Sequence, residues 1–218
     1  SRQAVQVMNQ WRAQFDLNNH QVTRVIAGFN AIPSYTHTAV EFEDTFAHVD
    51  ALAMSGYIGP DRRWVNDQTR FDNLTLDEVF EEINDGRHLQ SETSIPDLHQ
   101  VYVWAEALAG PHQLALILYE AGQHIVSTGT PAGTNTVATM IQANKDSRMG
   151  TAYTSNFTNF RSAGGTLIFN FVVEDVYDEN GTFGLLQYQD DNPLFSPKYQ
   201  AVTDYINNNP CWWSGCSQ

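Results

Sequence analysis

The chain has 218 residues, 42% of them hydrophobic, and carries a formal net charge of −14. No apolar run approaches the roughly 20 residues that span a bilayer as a helix, and the acidic balance leaves no basic stripe with which to displace counterions from nucleic acid. The expectation is a soluble globular domain with no membrane and no nucleic-acid partner, acting on neutral molecules or cations.

Taken in chain order, Val5, Met8, Trp11 and Phe15 recur at three- and four-residue spacing, which predicts a first helix. Residues 22–29 form a short apolar run, and residues 49–57 form a second. Polar excursions at 59–72 and 84–94 follow it, long enough to make a loop or lid over that strand's carboxyl end. Between them, residues 75–83 open with Thr-Leu-Asp-Glu, a pattern in which Thr75 and Glu78 satisfy each other's free amides at a helix start. Residues 95–109 read as a helix with Pro96 in its first turn and Gly110-Pro111 as its stop. Residues 114–124 are a third apolar run, 134–160 a long helical region broken near Arg148-Met149-Gly150, 166–174 a fourth apolar run, and 196–208 a last helix.

Short continuous apolar runs read as strands of a parallel sheet, and their alternation with helices makes them βα units joined by right-handed crossovers. The predicted class is therefore α/β, with four βα units. A closed (β/α)8 barrel of the TIM type needs eight strands and typically about 250 residues, so the chain reads as half of one. No repeat beyond the βα unit and no linker divides it, and residues 1–218 are expected to form a single domain.

In such sheets chemistry collects at the carboxyl ends of the strands. The third run ends in Tyr119-Glu120-Ala-Gly-Gln-His124, which presents a carboxylate there, followed by glycine and two polar side chains. That segment, together with residues 49–57 upstream, Gly181-Thr-Phe-Gly-Leu-Leu-Gln-Tyr-Gln-Asp and Ser196-Pro-Lys-Tyr downstream, resembles the C-terminal half of clan A glycoside hydrolases. Within the clan the similarity is to bacterial secreted proteins with a Tyr-Glu-Gly-Gly-Gln-His motif, and it extends over nearly the whole chain. The resemblance implies a (β/α)8 barrel of which this chain supplies strands five to eight, with Glu120 as the nucleophile ending strand seven. The clan's general acid/base, a glutamate after an asparagine at the end of strand four, has no counterpart here. Ala121 also stands where the related motif has glycine.

Retaining glycoside hydrolysis uses two carboxyl groups about 5 to 5.5 Å apart, one attacking the anomeric carbon and one assisting the leaving group. The expected function is accordingly retaining hydrolysis of a β-linked poly- or oligosaccharide, with Glu120 attacking and the acid/base supplied from outside the chain. The partner would be a companion chain carrying the N-terminal half-barrel, or another copy. The alternative is a noncatalytic carbohydrate-binding or structural protein on a barrel scaffold, because fold does not fix function.

Tyr57 is the candidate hydrogen-bond donor that keeps Glu120 ionised and oriented, or else a rim tyrosine packing on a loop. Glu120 itself reads alternatively as the ion-pair partner of Arg24. Gln123 and His124 are candidate sugar contacts, and His124 is also a possible proton donor or simply a hydrogen-bonded structural residue. Glu174 and Asp175 end the fourth run, where they would supply a second carboxylate or line the cleft. Trp64, Phe171, Tyr177 and Phe183 are candidate stacking platforms for sugar faces or ordinary packing residues.

No nucleotide-binding glycine motif, no serine-hydrolase elbow and no metal-ligand spacing occurs, so no cofactor and no metal is expected. Cys211 and Cys216 are expected to form a disulfide closing a short C-terminal loop, with Trp212 and Trp213 between them. Sequons at Asn73, Asn156 and Asn180 are compatible with a secreted, extracellular glycoprotein. No leader peptide is visible, and Ser1 is compatible with one having been removed.

Overall fold

The computed structural model describes residues 2–16, 22–127 and 134–209. Its centre is one parallel sheet in the order β1-β2-β3-β4, formed by β1 (Val25–Ala27), β2 (Ala51–Ile58), β3 (Ala115–Gln123) and β4 (Leu167–Asn170). Consecutive parallel neighbours joined by like-handed crossovers put their helices on one face. The hydrophobic clusters divide accordingly. Leu52, Met54, Leu116, Leu118 and Ala121 join the main core with Leu98, Tyr102 and Phe160. The other face gathers Ala51, Ala53 and Ile117 with Val25, Ala115 and Leu167, all of them sheet residues. We call these the helix-covered face and the open face.

The helices are α1 (Arg2–Asp16), α2 (Pro33–Glu41), α3 (Gln68–Asp72), α4 (Leu76–Asp85), α5 (Ile95–Ala109), α6 (Thr134–Lys145), α7 (Ser147–Ser162) and α8 (Pro197–Asn208). The start of α4 has the expected box, the Thr75 hydroxyl accepting from the Glu78 amide while the Glu78 carboxylate accepts from the Thr75 amide. Ser94 and Ser196 cap α5 and α8 with their hydroxyls alone, which accept from the Asp97 and Tyr199 amides. Helix α5 stops at Ala109 with Gly110 as its C-cap, as expected, and Gly110-Pro111 then form a separate 3-10 turn to His112.

The long helical region breaks at Asp146 rather than at 148–150. The Asp146 carboxylate accepts from the Arg148 amide, which starts a new helix, and Gly150 lies inside that helix against the backbone of Pro197. The outer strands are shorter than their apolar runs, three and four residues, because each has a neighbour on one side only. Glu174 and Asp175 therefore lie beyond the end of β4 and do not terminate it.

Two ties fix the sheet to its helices. Asn156 of α7, 2% exposed, accepts from the Tyr102 hydroxyl of α5 at 2.9 Å and donates to the Gly56 carbonyl of β2 at 3.0 Å. That burial removes Asn156 from the usable sequons, whereas Asn73 and Asn180 are exposed. Arg24 and Asp50, immediately before β1 and β2, form a bidentate pair at the opposite end of the sheet from Glu120. The reading of Glu120 as the partner of Arg24 is thus wrong.

The two excursions after β2 are pinned. Arg62 donates its amide to the Val126 carbonyl and its guanidinium to Asp72, and the fully buried Glu82 carboxylate accepts from the amides of His88 and Leu89 and the hydroxyl of Ser91. Among the described residues no helix is long and apolar enough to cross a membrane. Cys211, Trp212, Trp213 and Cys216 lie outside the described residues.

Candidate active site

The side-chain alternation of a strand would place Glu120 on the helix-covered face, since Leu116 and Leu118 already point there. It does not, because β3 bulges. Met54 pairs with Leu118 but Ser55 pairs with Glu120, and β4 sees the same extra residue, pairing Ile168 with Leu118 and Asn170 with Ala121. Tyr119 is the inserted residue. The bulge returns Ala121 to the helix-covered face and turns Glu120 to the open one, the kind of re-aiming for which bulges recur beside active sites.

On β2 the residues facing the open side are Ala51, Ala53, Ser55 and Tyr57 by period two, so Tyr57 reaches the carboxyl end alongside Glu120. Burial first, then the charge of Glu120 and a hydrogen bond with it, push the Tyr57 phenol well above its ordinary pKa. A phenol held in its protonated form is a donor toward the carboxylate. Among the described residues no arginine or lysine forms an ion pair with Glu120.

Three rings surround Tyr57. His124 lies 5.2 Å away between centroids, and Phe171 and Phe183 lie 6.4 Å away, both edge-on. Phe183 also meets His124 at 5.5 Å and Phe171 at 5.6 Å, which closes the cluster. The Phe171 ring remains 43% exposed beside the open face. His124 Nδ1 is 3.7 Å from the Asp61 carboxylate, which is itself held by the guanidinium and amide of Arg63. Burial lowers the His124 pKa, and Arg63 lowers it further, against the opposing pull of Asp61 and Glu120. The imidazole is therefore neutral near neutral pH, with a donor and an acceptor to offer.

Gly122 is required where it stands. Its φ of +146° suits glycine alone, and a Cβ there would come within 3.1 Å of the Tyr153 hydroxyl, which accepts from the next amide, Gln123 N–H. The motif's glycine thus lets the chain close over Tyr153 immediately after Glu120.

The structure brings together Glu120, Tyr57, His124, Phe171 and Phe183. Gln123 is 1% exposed, with Nε2 donating to the carbonyl and hydroxyl of Thr182 and Oε1 accepting from Ile125 N–H, so it braces the loop carrying Phe183 and has no free amide for a sugar. Tyr177 is buried as well, its hydroxyl donating to the Gly184 carbonyl, and offers no platform. Trp64 is 79% exposed on the loop that carries Asp61, without ring contact to the cluster among the described residues. Glu174 is exposed on the segment after β4, where its backbone bridges to Leu186.

Residues that the sequence did not single out also belong here. The Ser55 hydroxyl, on the residue paired with Glu120, donates to Asn30 Oδ1 at 2.9 Å, and Asp61 faces His124. Ser55 was detectable, being two positions before Tyr57 on the same strand face. Asn30 and Asp61 sit in loops with no local signal. Among the described residues no cluster of metal-ligating side chains occurs.

No family model matches the chain, and neither a curated protein nor a solved structure matches it. The class is therefore given by the fold itself: an α/β protein with a four-stranded parallel sheet covered by helices on one face.

Proposed function

We propose that these residues are the nucleophile-bearing half of a retaining glycoside hydrolase acting on a β-linked poly- or oligosaccharide, built as strands five to eight of a (β/α)8 barrel. The observation that carries the proposal is the bulge at Tyr119, which aims Glu120 out of the open face at the carboxyl end of β3, beside the protonated Tyr57. A carboxylate that no arginine or lysine among the described residues pairs with, approached by a phenol donor, is prepared to attack an anomeric carbon. The rings of Phe171, Phe183 and His124 offer an aromatic wall for a sugar face. The substrate class and the β linkage come from the resemblance to clan A hydrolases.

The acid/base belongs to a companion half. The open face supports this: Phe169, in the register of Leu167, is 53% exposed, the inserted Tyr119 is 38% and Phe29, two residues past β1, 49%, and among the described residues β1 and β4 each leave one edge of the sheet unpaired. A companion bearing parallel strands would cover those rings and pair both edges. Secretion and a Cys211–Cys216 disulfide form part of the same reading.

The test is made on protein purified from its natural source with any bound polypeptide retained. Native mass spectrometry should reveal the companion half, and the assembly should hydrolyse β-linked glycans with retained anomeric configuration. Glu120→Gln should lower that activity by orders of magnitude while the assembly persists. Undiminished activity in Glu120→Gln removes the assignment, and binding of a glycan without hydrolysis by the wild type replaces it with the noncatalytic carbohydrate-binding reading.

A further inference from the structure

Lys198 is completely buried, in the first turn of α8. Both circumstances disfavour an ammonium group: burial strips its hydration, and the amino end of a helix carries partial positive charge. Burial accordingly lowers its pKa far below the usual lysine value, and no carboxylate forms an ion pair with it among the described residues, Asp175 acting only at longer range. A polar group placed at such expense is held by what it binds. Nζ donates to Asn144 Oδ1 of α6 at 2.8 Å and to the Thr182 carbonyl at 2.6 Å, and it lies 4.5 Å from the centroid of the Tyr177 ring.

Thr182 is the convergence point. It is 0% exposed, its carbonyl accepts from both Lys198 and Gln123, and its hydroxyl accepts from Asn144 at 2.7 Å and from Gln123 at 3.1 Å. Side chains from β3, α6 and α8 thus fix one residue of an otherwise irregular loop. The next residue is Phe183, whose ring meets Tyr57, His124 and Phe171.

We propose that Lys198 is a positioning residue: by clamping Thr182 from behind, it sets the Phe183 ring against Tyr57 and His124 beside Glu120. As a device for holding sugar, the clamp rests on the glycosidase reading above; as a device for fixing Phe183, it does not.

The experiment has two arms, so that the two readings fail separately. In the first, 4-fluorophenylalanine replaces Phe183 in the intact protein and its fluorine resonance is followed. Lys198→Met should shift or broaden that resonance, whereas Ile83→Val, which loosens the core elsewhere, should leave it in place. If Lys198→Met does not fold, Lys198→Gln, which keeps a side-chain donor but is too short to reach the Thr182 carbonyl as Nζ does, should move the resonance in the same direction. An unmoved resonance in the folded variant overturns the proposal.

In the second arm cellohexaose, laminarihexaose and xylohexaose are the probes. For whichever is cleaved, Lys198→Met should raise KM at least about fivefold and change kcat less than about twofold. The double variant with Phe183→Ala should be no worse than Phe183→Ala alone, because both act through one ring. Additive losses in the double variant overturn the proposal. If the wild type binds none of the three probes while Lys198→Met still moves the fluorine signal, the clamp stands and the sugar site falls.

Discussion

Replacing Asn156 with Leu tests the tie on which the position of Tyr57 depends. Asn156 holds the carbonyl of Gly56, which belongs to the peptide bond leading into Tyr57, and accepts the Tyr102 hydroxyl. Leucine is close in volume but offers neither group. The buried Tyr102 hydroxyl loses its partner, at a cost of about 1 to 3 kcal/mol, while the Gly56 carbonyl loses one donor but stays in the β2–β3 ladder, so the expected loss is about 1 to 3 kcal/mol. Against the roughly 5 to 15 kcal/mol of an ordinary domain this is a large fraction. Adding Tyr102→Phe removes that orphan and should return much of the loss, making the double variant more stable than Asn156→Leu alone. Urea unfolding of the protein as purified, followed by tryptophan fluorescence at unchanged slope, measures both. A loss below about 1 kcal/mol, or a further loss on adding Tyr102→Phe, refutes the reasoning.

Deleting Tyr119 should leave Glu120 opposite Ser55, because both neighbouring strands already count one residue too many there. The variant should fold, and loss of folding or a carboxylate turned to the helix-covered face in its crystal structure would contradict the register. The lowered His124 pKa means that the unfolded chain takes up this proton more readily than the folded one. Its stabilising contribution is therefore complete above about pH 6.5 and is lost as pH falls toward the folded value. His124→Phe should make stability decline less steeply below about pH 6.5, and an unchanged slope in urea midpoints against pH would refute the assignment. Sedimentation of the isolated chain should show association or partial unfolding, and a well-folded monomer at every concentration would argue against a companion half.

The parts of the fold legible in the sequence were those written in local residues. Thr75 and Glu78 cap α4, Ser196 caps α8, and the four apolar runs each contain a strand of the sheet. Glu120 was legible as a strand-end carboxylate, but the bulge that turns it outward was not, since it depends on pairing with β2 and β4. Gln123 was read as a sugar contact from its place in the motif, yet its partner Thr182 lies 59 residues away and takes the amide into the interior. Lys198 carries no local mark of burial for the same reason: Asn144 and Thr182 reach it only in the folded chain. The break at Asp146 shows the reverse error, because an acidic cap outweighs a glycine when the glycine packs against Pro197.

The most direct test of the account is covalent trapping. The assembled protein, incubated with a 2-deoxy-2-fluoro β-glycoside carrying a good leaving group, should accumulate a glycosyl-enzyme because the fluorine slows its hydrolysis. Peptide mapping should place one fluoroglycosyl group on Glu120. A label on another carboxylate such as Glu174 or Asp175, or turnover without any label, would contradict it.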